Sequence, residues 1–158
     1  MKKQFLLVIL ITIISIRVFS QVEKGTILLG GYATIKASTS EGLYLNFNPN
    51  SGFFLTDKIC IGASIPLKYL SNGFYWGVTP FGRYYFTPHK VQSVFASMSF
   101  GLTNFNYNLA YLSAGIGNVW FINQNIGFEA ELIGNTDFED FSAGLFLGFQ
   151  VYFNRSNK

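Results

Sequence analysis

The chain has 158 residues, room for one domain plus a targeting segment. Apolar types make up 49%, aromatics 18% and charged residues only 12%, about half the charged share of an average soluble protein, and this excludes disorder. The net charge of +3 comes from Lys2, Lys3 and Arg17; from Gln21 onward eight Lys/Arg face eight Asp/Glu, which excludes an electrostatic footprint for nucleic acid.

Met1-Lys2-Lys3 is a short positive region followed by an apolar run from Phe5 to Ile16, and Val18-Phe19-Ser20 has the small-residue pattern of a signal peptidase site. The run is shorter than the ~20 residues of a spanning helix. Residues 1–20 are therefore expected to be a signal peptide, leaving residues 21–158 as the mature barrel domain. No Cys follows the run, which argues against a lipid anchor.

Beyond Gln21 the recurring pattern is alternation with period two, the mark of strands with two unlike faces. Runs fall at about 25–38, 43–55, 59–70, 74–86, 93–104, 109–122, 126–135 and 141–153. In the last, Phe141, Ala143, Leu145, Leu147, Phe149, Val151 and Phe153 alternate with Ser142, Gly144, Phe146, Gly148, Gln150 and Tyr152. Strands of soluble domains average ~5–6 residues, whereas a tilted membrane strand needs ~9–11. The separators carry turn chemistry, as in Thr56-Asp57-Lys58, Ser71-Asn72-Gly73 and Asn123-Gln124-Asn125.

A soluble sandwich would expose its polar face and fill it with Lys, Glu and Thr. Here that face carries Gly62, Ser64, Ser97, Ser99, Gly101, Ser113, Gly115, Gly117, Gly144 and Gly148, small residues that suit the crowded inside of a narrow closed sheet. The apolar face can then look outward because its solvent is lipid. Aromatic pairs at Phe53-Phe54, Tyr84-Tyr85, Trp120-Phe121 and Tyr152-Phe153 suit membrane interfaces. The expected fold is all-β: an eight-stranded antiparallel up-and-down transmembrane β-barrel. The same register makes Leu147→Arg costly and Gly148→Ser cheap.

The carrying segments are Pro49-Asn50-Ser51-Gly52-Phe53-Phe54-Leu55-Thr56-Asp57-Lys58-Ile59-Cys60-Ile61-Gly62, Pro80-Phe81-Gly82-Arg83-Tyr84-Tyr85-Phe86 and the stretch from Gly115 to Glu129. Through them the chain resembles the small outer-membrane β-barrel (porin-like) family of Bacteroidota-type bacteria, and it is similar in size to OmpA- and OmpX-type barrels. The resemblance spans roughly Gly25 to Phe153 and marks barrel turns, not an activity. It implies that the Thr-Asp-Lys turn faces the periplasm, that outer-membrane lipid is the solvent, and that the barrel assembly machinery is a partner during biogenesis. The chain departs from the pattern by running on from Asn154 to Lys158.

Five charges fall inside strands, Lys36, Lys68, Arg83, Glu129 and Glu131, and all sit on the inward face. Glu129 and Glu131 lie ~7 Å apart along one strand, near the separation of an inverting glycosidase pair. The preferred reading is a lumenal charge cluster of Lys68, Arg83, Glu129 and Glu131, with Lys36 a further candidate, because buried charges must be paired. Cys60 reads as a packing residue and His89 as a turn residue. Gly115-x-Gly117 lacks the third glycine and the helix of a nucleotide fingerprint, so no cofactor or metal is expected.

Short outer connections without His argue against an enzyme, and eight strands enclose room for side chains or one small ligand. The expected function is a structural or interaction role in the cell envelope, with the lumen closed by side chains. The alternatives are narrow porin-like solute transport or small apolar ligand binding, and, less favoured, a secreted lipid-binding barrel.

Overall fold

The structure is a computed structural model that describes residues 22–38, 42–70, 73–88, 91–103, 110–136 and 141–153, with the side chains at 34–38, 42–44, 70 and 103 outside the description. The expected signal peptide, His89, the Lys36 side chain, most of the outer connections and the tail after Phe153 thus lie outside the described residues.

Among the described residues nine strands follow one another: β1 (Ile27–Ser38), β2 (Gly42–Phe54), β3 (Ile59–Ser64), β4 (Leu67–Leu70), β5 (Gly73–Tyr85), β6 (Gln92–Thr103), β7 (Ala110–Phe121), β8 (Ile126–Thr136) and β9 (Phe141–Phe153). All pairings are antiparallel, and β9 returns to pair with β1, closing the sheet. The run expected at 59–70 is divided at Ile65-Pro66. The reason is chemical: Pro66 has no N–H to give the ladder. Its carbonyl still accepts from Gly77 N–H at 3.1 Å, and Ile65 N–H donates to the Pro49 carbonyl at 3.0 Å. β3 and β4 keep one register against β2 and one against β5, so they fill a single barrel position. The fold is an eight-stranded antiparallel up-and-down transmembrane barrel.

Its stagger follows from the ladder. Leu28 faces Gly52, which leads in turn to Gly62, Phe81, Ser99, Ser113, Asn135 and Ser142. The β1–β9 register sets Ser142 level with Ser38, ten residues beyond the start. Ten steps of ~3.3 Å against eight strand spacings of ~4.8 Å tilt the strands by about 40°. A 12-residue strand such as β1 or β7 then rises ~30 Å, enough to cross the ~25 Å apolar band of a membrane barrel.

The alternation divides the side chains cleanly. Ile61, Met98, Ile116, Leu132, Leu145 and Leu147 face outward and are exposed. Two belts of rings flank them: Phe53, Tyr84, Phe86, Trp120 and Phe153 toward the tight turns, and Tyr69, Phe74, Trp76 and Phe141 toward the other end. Each aromatic pair read from the sequence as interfacial is split by the period of two. Phe54, Tyr85, Phe121 and Tyr152 turn inward and are buried, while their neighbours stay outside.

The tight turns share a design. In 55–58 the Thr56 hydroxyl accepts from the N–H groups of Lys58 (3.2 Å) and Ile59 (3.0 Å). In 122–125 the Asn123 side-chain oxygen accepts from Asn125 and Ile126, both at 2.8 Å. Short polar side chains thus satisfy backbone donors where the ladder reverses. The expectation that Gly148→Ser is cheap is corrected by packing: a Cβ there would lie 2.5 Å from the Gly31 carbonyl oxygen. Gly31 itself has φ +147° and presses on Asn48 and Pro49, a close approach that only glycine permits.

Candidate functional site

The barrel interior is the one place where described polar, charged and aromatic side chains converge, and it has two halves. The half toward the tight turns is filled by rings. Phe95, Tyr85, Phe54, Tyr152 and Phe121 form a chain with centroid separations of 5.4, 5.2, 6.3 and 5.0 Å. Room for them comes from glycines on facing strands: a Cβ at Gly117 would meet Phe95 at 2.4 Å, and one at Gly62 would meet Phe81 at 2.6 Å. Val22, 1% exposed, caps the ring cluster from the chain's N-terminal side. It is held there by a turn in which Thr26 N–H donates to the Glu23 carbonyl (3.0 Å) and Gly25 N–H to the Phe54 carbonyl (2.9 Å).

Arg83 of β5 lies above this cluster and reaches across the lumen to β8. Its two terminal nitrogens donate to the two carboxylate oxygens of Glu129, each at 2.9 Å, and one of them also lies 3.4 Å from Glu131. The planar fork matches the carboxylate and makes this a charge-assisted bidentate pair. The guanidinium carbon also sits 4.7 Å from the Phe95 ring centroid and 5.2 Å from that of Phe81, so the cation rests on ring faces as well. Arg83, Glu129 and Glu131 are 6%, 4% and 3% exposed. Ser97 donates its hydroxyl to the other Glu131 oxygen. With both oxygens on Arg83, Glu129 is committed to the ion pair, which speaks against the glycosidase reading.

The half toward the outer connections is polar and not filled. A cavity of about 80 Å³ is lined by Asn48, Asn50, Ser64, Thr79, Ser99 and Glu131 among others. It adjoins a wider one of about 290 Å³, sharing Tyr32, Asn48, Tyr111, Asn135 and Phe146. Thr79 and Tyr111 hydroxyls bond at 2.7 Å, and Ser113 donates to the Asn135 side-chain oxygen at 2.6 Å.

Of the four residues read as a cluster, the structure brings Arg83, Glu129 and Glu131 together, while Lys68 lines the wider outer cavity. Cys60 is buried in the ring cluster. Sequence reasoning passed over Asn46, Asn48 and Asn50, three amides at alternate positions of β2 that all face inward. Their period-two spacing was the available sign. It also passed over Val22, whose role depends on a turn that brings it back to the barrel.

No family model matches the chain, and no curated protein matches it. Its fold is that of several solved structures. The N-terminal β-barrel domain of Pseudomonas aeruginosa OprF superposes with a TM-score of 0.65 at 16% identity, covering 82% of this chain and 98% of that one. The Yersinia pestis outer membrane protein Ail, determined in a phospholipid bilayer nanodisc, gives 0.58 at 14% identity, with 83% and 100% covered. A de novo designed transmembrane β-barrel gives 0.55 at 11% identity, with 83% and 98% covered.

Proposed function

We propose that this chain is an exported outer-membrane barrel that serves the cell envelope as a structural or interaction body and does not conduct. One observation carries the reading: Arg83 spans the lumen to Glu129 above a packed ring cluster, and in this reading those side chains close the water path. The two outward aromatic belts and the likeness of the fold to Ail support a membrane setting. Residues 1–20 act as the signal peptide in this reading, outer-membrane lipid surrounds the barrel, and the barrel assembly machinery inserts it.

Fractionation with N-terminal sequencing of the recovered protein tests the setting. Recovery in the outer membrane, beginning at Gln21 and with gel mobility that changes on boiling, is the expected result. Soluble periplasmic protein would overturn it. Planar-bilayer recording tests closure: no steady conductance steps are expected. Steady ohmic steps would favour the narrow solute path instead, for which the polar outer half supplies a beginning.

A further inference from the structure

We propose that the outer half of the lumen holds one small monovalent cation, seated between the Glu131 carboxylate and the side-chain oxygens of Asn48 and Asn50, and exchanged from the side of the outer connections. The argument begins with charge. Arg83 brings one positive charge to two buried carboxylates, and it spends two 2.9 Å bonds on Glu129. Among the described residues Glu131 receives the 3.4 Å contact and the Ser97 hydroxyl. The cluster is left with one negative charge in excess, and an uncompensated buried charge costs several kcal/mol. Lys68, the other described cation of the lumen, lines the outer cavity and not the inner one.

The second observation is independent of charge. Asn48 and Asn50 are 7% and 8% exposed, line the same cavity as Glu131, and their Oδ1 atoms have no hydrogen-bond partner. Asn48 donates its Nδ2 to the Tyr32 hydroxyl, which turns its oxygen away from that ring. Buried acceptors without donors are rare and costly, and here two of them belong to side chains that line the same space as the excess carboxylate.

Size and donor type select the ligand. About 80 Å³ takes a cation with one or two waters, at ~30 Å³ per water. One carboxylate with neutral amide and hydroxyl oxygens is too weakly charged a set for calcium and lacks the nitrogen and sulfur ligands of zinc. Sodium, potassium or ammonium fits. Toward the tight turns the way is blocked by Arg83 and the rings, while the shared lining at Tyr32 and Tyr111 leads outward.

The test uses the mature chain refolded in detergent, with its unfolding followed at equal ionic strength in sodium, potassium, ammonium or N-methyl-D-glucamine chloride. At a concentration ten times its dissociation constant, a bound cation raises the folded-to-unfolded ratio about tenfold over the bulky organic cation. That gain should saturate, and it should disappear in Glu131→Gln and shrink in Asn48→Ala/Asn50→Ala, while Ser93→Ala, at a hydroxyl away from the cavity that bonds the Thr87 carbonyl, keeps it. Crystals soaked in rubidium or thallium(I) should show an anomalous peak beside Glu131. Equal stability in all four salts overturns the proposal, with or without a peak, since a peak alone would be an adventitious ion only. A gain that survives both Glu131→Gln and the double asparagine variant overturns it too. Should Glu131→Gln fail to fold, the asparagine variant and the soaked crystals decide. Conductance plays no part in these readouts, so a failure of the closed-lumen reading would be seen separately.

Discussion

The two halves of the lumen are built from the same strands by opposite means. Toward the tight turns, the interior is filled by large rings with Leu28, Cys60 and Val119, and glycines such as Gly62 and Gly117 leave them room. Toward the outer connections, inward positions carry asparagine, serine, threonine and tyrosine, and open space remains. A barrel of uniform width can thus be dry at one end and polar at the other through side-chain volume alone. Arg83 marks the border. Its guanidinium lies against the Phe81 and Phe95 rings and holds Glu129 and Glu131, the second of which lines the polar cavity.

That contrast can be broken at its border first. Arg83→Met should destabilise the barrel by ~3–5 kcal/mol, because it strands two carboxylates in a dry setting. Urea unfolding followed by tryptophan fluorescence measures this loss. Adding Glu129→Gln and Glu131→Gln should recover part of it. An unchanged midpoint for Arg83→Met would mean that water already reaches the pair.

Within the dry half, Phe95→Ala should cost ~3–5 kcal/mol, the range for removing a ring from a packed core. It should also produce small conductance in planar bilayers, since Phe95 stands beneath the Arg83 guanidinium. Gly117→Ala probes the same packing from the other side. A methyl 2.4 Å from the Phe95 ring must push it aside, and ~1–3 kcal/mol is expected for such overpacking. The heat-induced gel shift should move to lower temperature accordingly.

The smallest effect belongs to the polar half. Ser113→Ala removes a hydroxyl bonded to Asn135 at 2.6 Å, yet water can replace it there, so a loss of ~0.5–1.5 kcal/mol is the expected ceiling. A larger loss in the same urea titration would show that the outer half is as tightly specified as the inner one, and the contrast would fall.

How far the sequence discloses all this follows from range. Which face each residue takes is a local property, fixed by alternation, so the inward places of Arg83, Glu129 and Cys60 and the outward place of Leu147 could be read directly. Which inward residues meet is not local. The contact of Arg83 with Glu129 depends on a stagger set by every turn between them, and the same stagger puts Lys68 in the wider cavity, a level above. The split of Phe53-Phe54 and Trp120-Phe121 into one ring outside and one inside was implied by period two, but aromatic composition drew attention to the interface alone. Gly148 shows a third kind of gap, because the backbone a glycine presses on in the next strand, here the Gly31 carbonyl, is invisible until the register is known.

The seam between β1 and β9 also governs the order of events in folding. Its pairs run from Ile27 with Phe153 to Tyr32 with Gly148 and join the first strand to the last, whereas every other ladder joins barrel positions adjacent in sequence, β3 and β4 counting as one. The hairpins can therefore form early over short loops, but the seam must wait until the whole chain has been traversed, at the greatest entropic cost of any contact in the molecule. Until it closes, both outer strands offer unpaired backbone to a medium that cannot solvate it. A protein stalled at that step would be a sticky open sheet, and six rungs of ladder separate it from a finished, edgeless wall.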